Sequence, residues 1–173
     1  MTPAHEAPRS PENLLQTLGL TEANPVLDEI ARDLATRAGA PYGMVNVFTA
    51  DGTQFFAGLH ADSDVPQIGR TMPGDHGYCP EVAHRQRALV LHDVYMHPRF
   101  RGNPVVDSIG IRTYAGVPLI DPGSGQVFGT VCFVGPVALP EDTSTANLEL
   151  LKEVRARLMG LLYPQADTRA PQH

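Results

Sequence analysis

Cys79 is the residue whose surroundings come closest to chemistry. Pro80 follows it as the first position of a predicted helix, so the thiol stands at a helix N-terminus, where the macrodipole favours thiolate. Glu81, in the same turn, pushes the other way, and His76 just upstream is a candidate proton acceptor. The competing reading is a small packed thiol. Cys132 lies inside the apolar run G-T-V-C-F-V and reads as core-facing or sheet-packed. The two cysteines make neither a C-x-x-C motif nor a disulfide framework.

A second group of polar residues could hold a small anion or carboxylate. Arg99, Arg101 and Arg112 fall near Asn103, Tyr78, Tyr95 and Tyr114, and guanidinium groups bind planar anions in a bidentate way. Arg112, at the start of a strand, is the stronger candidate, while Arg99 and Arg101 also read as solvated loop residues. His60, His76, His84, His92 and His97 fit no common zinc spacing, so no metal site is expected. One histidine could still serve a haem iron.

These residues need a scaffold, and the chain predicts one domain. Its 173 residues, 42% hydrophobic and 18% charged, suffice for a single core. The net charge of −6 argues against general nucleic-acid binding. Lys152 is the only lysine among thirteen cationic side chains. No segment reads as a signal peptide or a membrane span, so a cytoplasmic location is expected.

Residues 1–12 and 164–173 read as flexible tails around one domain at 13–163. Asn24-Pro25 is an N-cap and first helical position, and Leu27, Ile30, Ala31, Leu34 and Ala38 form one stripe that Gly39 ends. Residues 43–49 and 54–60 read as strands around the turn signal Asp51-Gly52. Residues 61–77 read as a loop, 79–87 as a short helix, 88–94 as a third strand and 95–110 as irregular, with a short helix after Asn103-Pro104. A second hairpin pairs 112–120 with 126–135, and a last helix covers about 142–163, with Leu148, Leu151, Val154, Leu158 and Leu161 on its stripe. The order predicts an α+β fold on an antiparallel sheet.

The strand pair R-T-Y-A-G-V-P-L-I and G-T-V-C-F-V, with the preceding H-P-R-F-R-G-N-P-V-V at 97–106, resembles the GAF domain family over about residues 24–162. The resemblance implies a central antiparallel sheet with the N- and C-terminal helices on one face and a ligand pocket on the other, and frequent dimerisation through those helices. The pocket is expected to be lined by Phe56, His76, Tyr78, Cys79, Val105, Arg112, Tyr114 and Phe133. G-Y-C-P-E-V also resembles a stretch of the free methionine-(R)-sulfoxide reductases, which are GAF enzymes. Their catalytic cysteine falls in the loop before the penultimate strand, and residues 97–111 here contain none. Neither cysteine is followed by His, as the bilin-attaching members require, and one lysine in the last helix does not match the cyclic-nucleotide signature.

The expectation is therefore a stand-alone sensory domain, non-enzymatic and without a required cofactor. It would bind a small molecule and signal through a dimer or through a partner such as a kinase or regulator, because no output segment is visible. A thiol-dependent methionine sulfoxide reductase is the runner-up, and a haem or redox sensor is third.

Overall fold

The computed structural model describes residues 10–164. Helix α1 spans Pro11–Thr17 and α2 Pro25–Ala38. Strands β1 (Tyr42–Phe48), β2 (Thr53–Ala61) and the short β3 (Thr71–Pro73) follow, then helix α3 (Cys79–Arg85), strand β4 (Leu89–Leu91), helix α4 (Pro104–Ile109), strands β5 (Thr113–Ile120) and β6 (Val127–Gly135), and helix α5 (Ser144–Leu162). The six strands form one sheet in the order β3-β2-β1-β6-β5-β4, and every neighbouring pair is antiparallel.

Side chains alternate across a strand, so this sheet has two apolar faces. One carries Val45, Val47, Ala115, Val117, Leu119, Val131 and Phe133 under the stripes of α2 and α5. Asn24 begins α2 by accepting the Val26 amide at 2.8 Å, and Gly39 ends it with φ 70°. Burying each of Leu27, Ile30 and Leu34 contributes about 1.5–3 kcal/mol. The helix lies so close to the sheet that a Cβ at Gly58 would sit 2.5 Å from the Leu27 carbonyl oxygen. The other face carries Tyr42, Met44, Tyr114, Cys132 and Val134, and α3, α4 and the segments between them cover it. Among the described residues, no helix is long and apolar enough to cross a membrane.

The expected elements are present with shifted ends, and the structure adds two. Helix α1 starts inside the segment expected to be a tail, capped by the Ser10 hydroxyl, and it buries Leu14 and Leu15. Seven residues are too short to display a helical stripe in sequence. Residues 1–9 and 165–173 of the expected tails lie outside the described residues. Strand β3 lies within the expected loop 61–77 and is defined only by its pairing with Thr53–Phe55. The strand expected at 88–94 stops at Leu91 because the Asp93 carboxylate accepts the Tyr95 amide at 3.0 Å and starts a 3-10 turn over Val94–Met96.

Candidate functional site

The segment leading into α3 is held from two sides. Gln54, buried on β2, donates from Nε2 to the carbonyls of Pro73 and His76, both at 2.8 Å. Asn103, at the start of α4, accepts the Gly77 amide at 2.9 Å and donates to the Gly77 carbonyl at 2.8 Å. The Tyr78 hydroxyl then donates to the Phe100 carbonyl at 2.7 Å. These bonds tie the segment 73–78 to β2, α4 and the Phe100 carbonyl, and they fix where the first residue of α3, Cys79, enters the core.

Cys79 meets a polar cluster sealed inside the sheet face. Thr130 donates its hydroxyl to Cys79 Sγ at 2.9 Å, the Tyr114 hydroxyl is 3.2 Å away, and Cys132 Sγ is 3.6 Å away. On its far side Cys132 lies 3.7 Å from Met44 Sδ. Asn46 completes the cluster by donating to Gln54 Oε1 at 2.7 Å. Its own Oδ1 is fully buried and has no hydrogen-bond partner among the described residues. An orphaned buried acceptor costs about 1–3 kcal/mol.

Burial raises the Cys79 pKa, but hydrogen bonds from the Cys132 thiol, Thr130, Tyr114 and Asn46 outweigh it and bring the group down to about 7. The proton that Cys132 shares with Cys79, together with burial, pushes the Cys132 thiol well above its ordinary range. Burial first, and then the charge on the neighbouring thiols, does the same to Tyr114. Burial alone raises Tyr78 to about 12. The cluster thus stabilises a single negative charge, centred on Cys79 Sγ.

Five of the eight residues expected to line the pocket are together here. Phe56, Tyr78, Cys79, Val105 and Tyr114 share one cluster, but they are buried and pack on one another where an open hollow was expected. Tyr78 meets Phe100 edge-on at 5.7 Å and Tyr114 at 5.4 Å. Phe133 points the other way, into the core under the helices, because it follows Cys132 on the strand and opposite parity forces the opposite face. Arg112 is already engaged: Asp93 accepts from its Nε at 3.0 Å and from Nη2 at 2.8 Å, and its guanidinium lies 4.1 Å above the Tyr95 ring. Arg99 pairs with Glu81 at 3.0 Å. His76 is only partly buried, and its Nε2 lies 3.9 Å from Asp75, whereas the hydrogen bonds that lower Cys79 come from Cys132, Thr130, Tyr114 and Asn46.

A cavity of about 370 Å³ lies elsewhere, beside α1 and the β1–β2 turn, with Leu15, Leu20, Thr49, Asp51 and Phe55 among its lining. No group of three or more His, Cys, Asp or Glu that could hold a metal occurs among the described residues. Asn46, Gln54, Thr130 and Met44 were not singled out in the sequence. The signal was there for two of them: Asn46 and Thr130 are polar residues at core-facing parity in otherwise apolar strands, and Thr130 stands two residues from Cys132.

Comparison with known proteins bears on this architecture. A model described as the GAF domain matches residues 22–161. No curated protein matches the chain. Among solved structures, the GAF domain of an Acinetobacter phosphoenolpyruvate-protein phosphotransferase is similar over 90% of this chain and 92% of its own, at 16% identity and a TM-score of 0.60. Free methionine-R-sulfoxide reductase from Neisseria meningitidis, solved in complex with its substrate, is similar over 96% of this chain and 99% of its own, at 20% identity and a TM-score of 0.58. The phycocyanobilin-bound GAF domain of a cyanobacterial phytochrome is similar over 96% and 100%, at 11% identity and a TM-score of 0.60. At these identities the likeness is one of fold.

Proposed function

Because this chain belongs to the GAF domain family, whose members are small-molecule-binding sensory domains, we propose that it is a sensory and regulatory module that holds its ligand beneath α3, against Asn46. The supporting observation is the Asn46 Oδ1, buried and without a hydrogen-bond partner among the described residues. A guest carrying a hydrogen-bond donor would remove that cost. The bound molecule is then a small donor-bearing compound, such as an amide or amine. The anion or carboxylate reading loses its best cation, since Asp93 already occupies Arg112.

Tyr78, Phe100 and Tyr114 fill the space above the cluster, so entry of a guest displaces rings anchored through the 97–103 segment. That displacement couples occupancy to the surface of the domain and is the natural signal. The output passes to a second copy through the terminal helices or to a signalling partner such as a kinase or regulator. Val26 and Leu161, half exposed on α2 and α5, are the apolar residues available for such a contact. The module binds without turning its ligand over. Thermal melts of the protein against a panel of small amides and amines test the reading. A ligand that raises the midpoint of the wild type but not of Asn46→Leu supports it, and a panel that shifts both equally or neither contradicts it.

A second reading, reduction of free methionine sulfoxide, draws on the 3.6 Å contact between Cys79 and Cys132, since two thiols supply the two electrons required. Turnover of free methionine sulfoxide with a reductant, lost in Cys79→Ser, would favour this reading over binding.

A further inference from the structure

The ligand-binding reading makes no use of the thiol pair. Cys79 arrives from the start of α3 and Cys132 from the middle of β6, and their sulfurs touch at 3.6 Å inside the core. Across the strands, Cys132 pairs with Met44 and with Gly116. Gly116 has no side chain, and the Tyr114 hydroxyl occupies the space beside it, directed at the sulfurs. The two thiols therefore have different surroundings. Thr130 and Tyr114 hydrogen-bond Cys79 at 2.9 and 3.2 Å and also favour the charged form of Cys132, whose other side faces the thioether of Met44, which has no proton to give. Negative charge settles on Cys79 and the proton stays with Cys132. Access divides the same way, with 5% of Cys79 exposed against 1% of Cys132.

We propose that Cys79 and Cys132 form a reversible intramolecular disulfide when the domain meets a hydroperoxide, so that the covered sheet face carries a thiol redox switch. Cys79 thiolate attacks the peroxide, the Sγ–O bond forms as the O–O bond breaks, and two electrons pass from sulfur to the departing alkoxide, which leaves as alcohol after taking a proton. Cys132 then attacks the sulfenyl sulfur of Cys79. The S–S bond forms, the S–O bond breaks, and hydroxide leaves with the Cys132 proton as water. The oxidant must be small, because the pair is buried. Closing the sulfurs from 3.6 Å to the bonded distance of about 2.05 Å draws the start of α3 toward β6. Disulfide formation also removes the thiolate on which the Thr130 and Tyr114 hydrogen bonds converge, so oxidation repacks the covered face.

The test uses the full chain. Protein treated with hydrogen peroxide is quenched in denaturant with N-ethylmaleimide, then read by intact mass and non-reducing peptide mapping. The expected result is two alkylated thiols before treatment and none after, with a mass lower by two hydrogens, a peptide linking Cys79 to Cys132, and full recovery of both thiols with dithiothreitol. Cys132→Ser should accumulate a dimedone-reactive sulfenic acid at Cys79, and Cys79→Ser should consume peroxide on the order of tenfold more slowly. Wild-type protein in which both thiols stay alkylatable, or in which the cysteines link only between chains, would overturn the proposal. The linked peptide is read on the wild-type chain, so a variant that failed to fold would not obscure the answer.

Discussion

The Tyr114 hydroxyl lies where a side chain on Gly116 would have to go. The two residues share one face of β5, and the tyrosine folds back along its own strand until its oxygen reaches Cys79 at 3.2 Å. A methyl group at position 116 would strike that oxygen and crowd Cys132 Cβ. Gly116→Ala is therefore expected to destabilise the domain by about 1–3 kcal/mol through overpacking. It should also raise the Cys79 pKa by removing a hydrogen-bond donor. Chemical denaturation reads the first effect and the ultraviolet absorbance of the thiolate the second. A variant as stable as wild type with an unchanged thiol titration would refute the arrangement.

The thiol pair also sets a pH dependence with a definite sign. Between about pH 7 and pH 9 the folded pair holds one proton, on Cys132, while the unfolded pair, with ordinary values of 9.0, still holds two. Stability rises with pH wherever the unfolded state binds more protons, so the pair contributes increasing stability across this window. Above pH 9 the unfolded chain loses both protons and the folded one retains the Cys132 proton, so the contribution reverses. The difference in unfolding free energy between wild type and Cys79→Ser should therefore rise between about pH 7 and pH 9. A difference that stays flat from pH 6 to 10 would contradict the assigned charge.

An ion pair between Asp28 and Arg70 contributes to the domain's acid limb. Asp28 on α2 accepts two bonds from Arg70, at 3.1 and 2.8 Å, and the Leu59 amide at 2.9 Å. Burial raises its pKa, but the Arg70 and Leu59 bonds outweigh it, so the carboxyl titrates below 3.8. The lowered value contributes stability above the unfolded pKa and loses it as pH falls through the folded one. A third of each side chain remains exposed, so screening limits Asp28→Asn to about 1 kcal/mol at neutral pH. That deficit should shrink progressively as pH falls below 3.8 in urea melts, and a deficit independent of pH would belong to packing instead.

Much of this architecture was legible in the chain because its signals are local. Asn24-Pro25 and Gly39 bracket α2, and Asp51-Gly52 marks the first hairpin, where the sequence places them. The site was harder to read because it depends on parity and long-range pairing. The sequence reading puts Phe133 on the pocket face, but its neighbour Cys132 occupies that face, and strand alternation allows only one of the two there. Sequence alone makes Arg112 a candidate for binding an anion, because its partner Asp93 lies nineteen residues upstream. Asn46 and Gln54 meet only once β1 and β2 have paired.

The engagement of Arg112 has its own consequence. With Asp93 across its guanidinium and Tyr95 against its face, Arg112 braces the turn after β4, and the ligand site proposed against Asn46 does not call on it. Arg112→Gln should lower the melting midpoint while leaving the dissociation constant of any bound ligand within about twofold. Isothermal titration of both proteins settles the point, and an affinity loss of tenfold or more would return Arg112 to the site.

On the reading proposed above, the buried cluster around Asn46 holds a guest. Native mass spectrometry of freshly purified protein tests it most directly, since retained ligand appears as added mass beside the oligomeric state. The account predicts added mass on the wild-type chain that disappears in Asn46→Leu. Bare chain mass for both proteins, or the same added mass on both, would contradict it.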